Sequence, residues 1–263
     1  MAALLKFVLL VFGLSWGFWF AASLAGLGPW AFLPGTLMPA VAALWLTRRE
    51  EGPQSARALG ARVAAWRVNP GWYLFALAFM AVVKLAAAGV QRLFLGFWPA
   101  FGAMPIAVML LGTLVSTPIQ AGEEIGWRGF MLARLATRTG LAVASLIVGL
   151  VWAAWHLPMF YLEGGDMVGQ SFPVFALAVV ALSVAMAWLY ARTGGSLLLV
   201  MAMHAAVNNM TGIVPSGVAG PSGGVLGWNA SFIGWATIII LWLCAAVFLA
   251  TMPRASSAAL LTD

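Results

Sequence analysis

Two adjacent carboxylates, Glu123 and Glu124, stand in the stretch QAGEEIGWRGFM at residues 120–131. Glu124 and Arg128 are four residues apart, so on a helix they share a face and can form an ion pair. Glu123 lies about 100° further round the same helix, at 3.6 residues per turn, and has no evident local partner. An isolated carboxylate in a medium of low dielectric is a strong base, so Glu123 is a candidate general base.

The protein has only two histidines, His156 and His204. Trp152 precedes His156 by one helical turn and is expected to pack against its imidazole, and Asn208 follows His204 by one turn. Imidazole and amide groups can stabilise a developing oxyanion beside a carboxylate base. These residue types therefore favour hydrolysis by an activated water. No serine or cysteine is tied to a histidine by local spacing, and the H-E-x-x-H pattern of zinc proteases is absent from the sequence.

The rest of the chain is apolar. Of its 263 residues, 63% are hydrophobic and only 8% are charged, whereas soluble domains average about 25% charged residues. We predict an all-α, polytopic membrane protein that forms a single domain over 1–263. The net charge of +6 is too scattered for a nucleic-acid-binding surface. The single cysteine, Cys244, excludes a disulfide framework.

Segments of about 20 apolar residues, the length needed to cross a bilayer, occur about eight times around this polar set. They cover residues 4–26, 30–47, 71–90, 104–136, 140–161, 172–191, 195–213 and 231–251. The Gly- and Pro-rich loop at 214–230 is either an exposed connector or a lid over the site.

Two predicted hairpins bring the polar residues together. Glu123 and His156 lie 16 and 17 residues on either side of Thr139, so antiparallel helices place both about 24–26 Å from that turn. His204 and Asn208 lie about 15–21 Å from the turn at 192–195. Both turns are expected on one side of the membrane, so the four side chains can meet in one layer.

Basic residues concentrate in loops that eight spans would place on one side. These residues are Lys6, Arg48, Arg49, Arg57, Arg62, Arg67, Arg134, Arg138, Arg192 and Arg254. By the positive-inside rule both termini are cytoplasmic. The site then lies at or beyond mid-membrane from the cytoplasmic turns. Access from the cytosol requires a helix break near Pro118, a reversed orientation, or a substrate that arrives from elsewhere.

Ionisable residues at membrane depth are costly, about 2.5–3.5 kcal/mol each on insertion scales, and by default indicate function. The set here is Glu123, Glu124, Arg128, His156 and His204, with Lys84 as a further member to which the sequence assigns no role. The structural alternative is a set of satisfied hydrogen bonds between helices.

Three short motifs resemble a known family. EEIGWR fits E-E-x-x-x-R, WAAWH fits F-x-x-x-H with Trp152 in place of Phe, and HAAVN fits H-x-x-x-N. In this order they resemble the CAAX-processing and bacteriocin-processing (CPBP, or abortive-infection) family of intramembrane endopeptidases, over a core at 104–213. The resemblance implies that Glu123 activates water with help from His156.

The resemblance also implies that His204 and Asn208 stabilise the oxyanion and that Glu124 and Arg128 hold the site together. The implied substrate is a peptide or protein in or at the lipid bilayer, either of the prenylated CAAX type or otherwise membrane-associated. Nucleic acid is not expected as a partner.

Two alternatives remain at this stage. The family has been described both as metal-independent glutamate proteases and as metalloproteases. We favour no cofactor, while a zinc version would use Glu123, His156 and His204 as ligands. The second alternative belongs to a different class of protein. Buried Glu, His and Arg residues also occur in proton-coupled transporters, and a non-catalytic immunity or scaffold protein is a further hypothesis of that class.

Overall fold

The computed structural model describes residues 1–216 and 224–252. Arg254 and residues 217–223 of the Gly- and Pro-rich loop, both used in the sequence analysis, lie outside this part. The described residues contain ten α-helices and no β-strand, which confirms the all-α prediction. The helices are α1 (Ala2–Leu24), α2 (Leu33–Glu50), α3 (Pro53–Ala61), α4 (Pro70–Leu95), α5 (Ile106–Ser116), α6 (Ala121–Glu124), α7 (Ala133–Trp155), α8 (Phe172–Arg192), α9 (Leu197–Met210) and α10 (Phe232–Ala250).

Six helical runs of the described residues are long and apolar enough to cross a membrane, against about eight predicted segments. Two predicted segments fall within one 50-residue run, Ile106–Trp155, and a third corresponds to the shorter apolar run Leu197–Ile213. The count therefore depends on how a broken or short helix is treated. The protein is an integral, multi-pass membrane protein.

The long run reverses direction at Gly140, whose backbone is non-helical (φ 76°, ψ 159°). This left-handed φ favours glycine because it has no Cβ. The reversal is visible in the bond between Trp152 Nε1 and Glu123 Oε2, which are 2.7 Å apart. In a straight helix, 29 residues would separate them by about 43 Å. The predicted hairpin at residues 137–140 is thus present.

The segment that carries the glutamates is not a uniform α-helix. α5 gives way to a 3-10 turn at Thr117–Gln120, which contains Pro118, and α6 continues into a π-helix at Ile125–Leu132. This is the helix break near Pro118 that the sequence offers as one of three explanations for access to the site from the cytosol. π-helical turns occur frequently at functional sites, where they change the direction of side chains.

Two glycines let this segment lie directly against α2. A Cβ added at Gly122 would lie 2.7 Å from the Leu37 side chain, and one at Gly126 would lie 2.5 Å from Cβ of Pro39. Small residues of this kind allow membrane helices to approach backbone to backbone. The close approach fixes the position of the two glutamates between Gly122 and Gly126.

Aromatic residues of α1 pack against the same region. Phe7 stacks on Phe130, with ring centroids 4.8 Å apart, and the Trp16 indole donates a hydrogen bond to the Trp155 carbonyl oxygen at 2.9 Å. On the other side of the site, α4 and α8 to α10 pack against one another and close the bundle. α3, which the sequence analysis did not predict, lies in the basic loop between α2 and α4.

Candidate active site

A cavity of about 840 Å³ opens inside the bundle. Its walls include Glu123 from α6, His156 from the end of α7, and His204 and Asn208 from α9. The structure therefore brings all four predicted residues to one cavity, from three separate parts of the chain.

Glu123 is buried, with 9% of its surface exposed. Its Oε2 atom accepts a hydrogen bond from Trp152 Nε1 at 2.7 Å. The base predicted to lack a local partner is thus held by a residue 29 positions further along the chain. One hydrogen bond occupies only part of the accepting capacity of a carboxylate, so Glu123 can still accept a proton from water.

The indole of Trp152 lies at the centre of the polar set. Besides its bond to Glu123, its ring lies 5.7 Å from the ring of His156 and 5.3 Å from that of His204, edge to face in both cases. The guanidinium carbon of Arg128 lies 4.4 Å from the ring centroid, within the range of a cation–π interaction. One side chain therefore contacts the candidate base, both imidazoles and the buried cation.

A second network lies behind Glu123. The carboxylate of Glu124 accepts two hydrogen bonds from Arg128, at 2.9 and 3.0 Å, and both side chains are fully buried. This is the pair that the spacing predicts. Nδ1 of His204 lies 2.7 Å from Oε1 of the same carboxylate, a contact that the sequence analysis did not predict. Glu124 thus orients His204 and balances the charge of Arg128.

His156 is fixed by its own helix. Its Nδ1 lies 2.8 Å from the carbonyl oxygen of Trp152, one turn earlier. A carbonyl oxygen can only accept a hydrogen bond, so Nδ1 carries the hydrogen and Nε2 of the neutral ring is an acceptor. The rings of Trp155 and Phe175 hold the imidazole edge to face, at 4.7 and 5.2 Å.

The two asparagines at the end of α9 differ in their surroundings. Asn209 donates to the Ala205 carbonyl oxygen at 2.8 Å and to the Ser116 hydroxyl at 3.2 Å, and so joins α9 to α5. Asn208 is exposed and lines the cavity, so its amide is accessible to a bound ligand.

The described residues contain no group of three or more His, Cys, Asp and Glu side chains arranged to hold a metal ion. The set named for the zinc alternative, Glu123, His156 and His204, therefore does not form a ligand cluster in this structure.

Two further ionisable residues line the same cavity. Lys84 of α4 has only 3% of its surface exposed, and Asp166 lies in the loop between α7 and α8. From the sequence alone, Lys84 is only a charge at membrane depth. Its position opposite α9 depends on how distant helices pack, which no local spacing reveals.

Sequence comparison adds an independent observation. Residues 103–210 match the family described as type II CAAX prenyl endopeptidase Rce1-like. CAAX prenyl protease 2 of Methanococcus maripaludis is 27% identical over 92 residues, a stretch that covers 33% of this chain and 34% of that relative. The resemblance to the CAAX-processing protease family is confirmed. The Rce1-like stretch contains the three motifs and all four residues predicted to be catalytic, and the match does not favour the transporter or scaffold alternative.

Proposed function

We propose that the protein is an intramembrane endopeptidase in which Glu123 activates the attacking water. The observation that supports this most directly is the position of Glu123: a buried carboxylate on the wall of a cavity that also contains two imidazoles and an amide. The family match of residues 103–210 supports the same class of reaction.

In the proposed reaction, a water molecule binds between Glu123 and Nε2 of His156. The carboxylate takes a proton from the water while the oxygen of the water attacks the carbonyl carbon of the peptide bond. The electrons of the carbonyl double bond move to its oxygen, which becomes an oxyanion. As the carbon–nitrogen bond breaks, Glu123 returns the proton to the leaving amine, so the carboxylate is regenerated.

The oxyanion needs hydrogen-bond donors placed before the reaction begins. Asn208 supplies an amide that faces the cavity. His204 supplies the second donor from its Nε2, because its Nδ1 is held by the Glu124 carboxylate at 2.7 Å and leaves Nε2 to face the ligand. Glu124 and Arg128 therefore act on the reaction through His204, as positioning residues.

The proposed substrate is a prenylated peptide of the CAAX type. Apolar residues of three helices line the cavity beside the polar groups, among them Met80 of α4, Leu182 of α8 and Leu241 of α10. Such a surface suits the hydrocarbon chain of a lipidated peptide. The name of the relative from Methanococcus maripaludis supports the same substrate class.

We further propose that both termini are cytoplasmic.

Purified protein in detergent, incubated with paired prenylated and unprenylated peptides, tests this function. We expect mass spectrometry to detect two products of a single internal cleavage, with faster turnover of the prenylated peptide. The rate is expected to be unchanged after treatment with a chelator, since the mechanism uses only groups of the chain. Loss of activity on chelation, with recovery on addition of zinc, would contradict the metal-free mechanism.

A further inference from the structure

Lys84 is a buried cation in the wall of the catalytic cavity to which the proposed reaction gives no role. It lies in the middle of α4, and its Nζ donates a hydrogen bond to the hydroxyl of Ser216, just beyond the end of α9. Ser216 is itself held by α10, because its carbonyl oxygen accepts a hydrogen bond from the Ser231 hydroxyl at 3.1 Å.

The ammonium group of Lys84 lacks an anionic partner among the described residues. Glu50, Glu51 and Glu124 form ion pairs with other cations, and no described carboxylate pairs with Lys84. An ammonium has three N–H donors, of which the Ser216 hydroxyl takes one. Because an unpaired charge at membrane depth is costly, the remaining donors favour an anionic ligand from the cavity.

The first turn of α10 adds to this positive potential. Ser231 caps the helix, and Gly234 and Thr237 of the first two turns line the cavity. Ile233 of the same turn packs with Ala88, which lies one turn from Lys84 on α4. The partial positive charge of a helix N-terminus stabilises a nearby anion, so the helix end and Lys84 act in the same direction.

The separation between Lys84 and the proposed oxyanion donors matches a short peptide. From His204 to the end of α9 at Met210 the helix rises about 9 Å, and a 3-10 turn at Thr211–Ile213 and two further residues lead on to Ser216. Lys84 and His204 therefore line separate parts of one cavity, and a ligand that reaches both must extend over roughly 10 Å or more. Three or four residues of extended chain cover about 10–14 Å.

We propose that Lys84 binds the C-terminal carboxylate of the peptide substrate and so sets the distance between the cleaved bond and the end of the chain. The inference rests on the proposed function and adds a specificity determinant to it. A carboxylate satisfies the free N–H donors and neutralises the ammonium, whereas a C-terminal amide would leave the charge unbalanced.

The test compares two prenylated peptides with three residues after the modified cysteine, identical except that one ends in a free acid and the other in a carboxamide. We expect the wild-type protein to cleave the acid with a kcat/KM about tenfold higher, the typical effect of one charge-assisted hydrogen bond. In Lys84→Met the ratio should fall to about one. The matched control is Lys6→Met, because Lys6 is the other lysine of the chain and lies outside the cavity; its ratio should stay near ten.

Binding of the same peptides to the Glu123→Gln variant, with and without Lys84→Met, separates recognition from chemistry. We expect the preference for the acid to persist in Glu123→Gln and to vanish in the double variant. Equal cleavage of acid and amide by the wild type, or an unchanged ratio in Lys84→Met, would overturn the role of Lys84 while the peptidase function stands. If the Glu123→Gln variant binds the acid more tightly than the amide but the wild type cleaves neither peptide, the peptidase function alone would be overturned.

Discussion

At the scale of residues, Trp152 connects the groups of the site more completely than the motif suggests. The resembling family has Phe at this position, and a phenyl ring can pack against the two imidazoles but cannot donate to a carboxylate. Here the indole N–H holds Glu123 in one orientation. The difference therefore changes the way the proposed base is positioned and leaves the other residues of the proposed reaction in place.

Trp152→Phe tests this role. The variant keeps an aromatic ring beside His156 and His204 but removes the donor to Glu123, so we expect kcat to fall about tenfold, as for loss of one hydrogen bond to a charged group. The melting temperature should change little because most of the packing is retained. Steady-state kinetics and thermal unfolding measure both, and a kcat equal to that of the wild type would contradict the positioning role.

Only part of the residue-level network could be predicted. The Glu124–Arg128 pair follows from a spacing of four on one helix. The contact between His204 and Glu124 joins residues 80 positions apart, so it depends on the packing of α9 against α6. Sequence spacing predicts a depth for each histidine, but it does not predict that His204 contacts Glu124 and not Glu123.

At the scale of elements, the close contact of α2 with the glutamate-bearing segment is the feature most sensitive to a single methyl group. Gly126→Ala would place a Cβ against Pro39, 2.5 Å from its side chain and 2.7 Å from its backbone carbonyl carbon. We expect a lower melting temperature and a loss of activity, since overpacking typically costs about 1–3 kcal/mol.

Gly89→Ala is the matched control for that prediction. Gly89 lies inside α4, and a Cβ added there would have no heavy atom within 4 Å among its neighbours. Alanine also has the higher helix propensity, so this variant should be as stable as the wild type or more so. Equal melting temperatures for the two variants would show that α2 does not constrain the glutamate segment.

The helices themselves were largely predictable from hydrophobic length and turn residues, because a membrane span imposes both. The hairpin at Gly140 follows from the T-R-T-G turn between two apolar segments. The π-helix at Ile125–Leu132 and the short helix α3 were not predicted. A π-helix has i→i+5 backbone hydrogen bonds where an α-helix has i→i+4 bonds, and over so short a stretch a uniformly apolar segment gives no sign of the change. α3 has only nine residues, too few to resemble a span.

At the scale of the whole molecule, the distribution of basic residues predicts a defined orientation. In a Cys244→Ser background, we expect a cysteine at Arg57 to react with a membrane-impermeant maleimide only from the cytoplasmic side. A cysteine at Glu163 should react only from the opposite side. Both positions are exposed, so access does not limit labelling. Labelling of both from the same side would contradict the orientation.

The proposed mechanism depends on Glu123 as the base, and substitution of Glu123 is its most direct test. Glu123→Gln preserves shape but removes the proton acceptor, so we expect peptide cleavage to fall at least about 100-fold, the lower range of general-base catalysis. The matched control is Glu163→Gln in the exposed loop after α7, which should retain full activity. Cleavage by a folded, membrane-inserted Glu123→Gln protein at a rate close to that of the control would contradict the proposed mechanism.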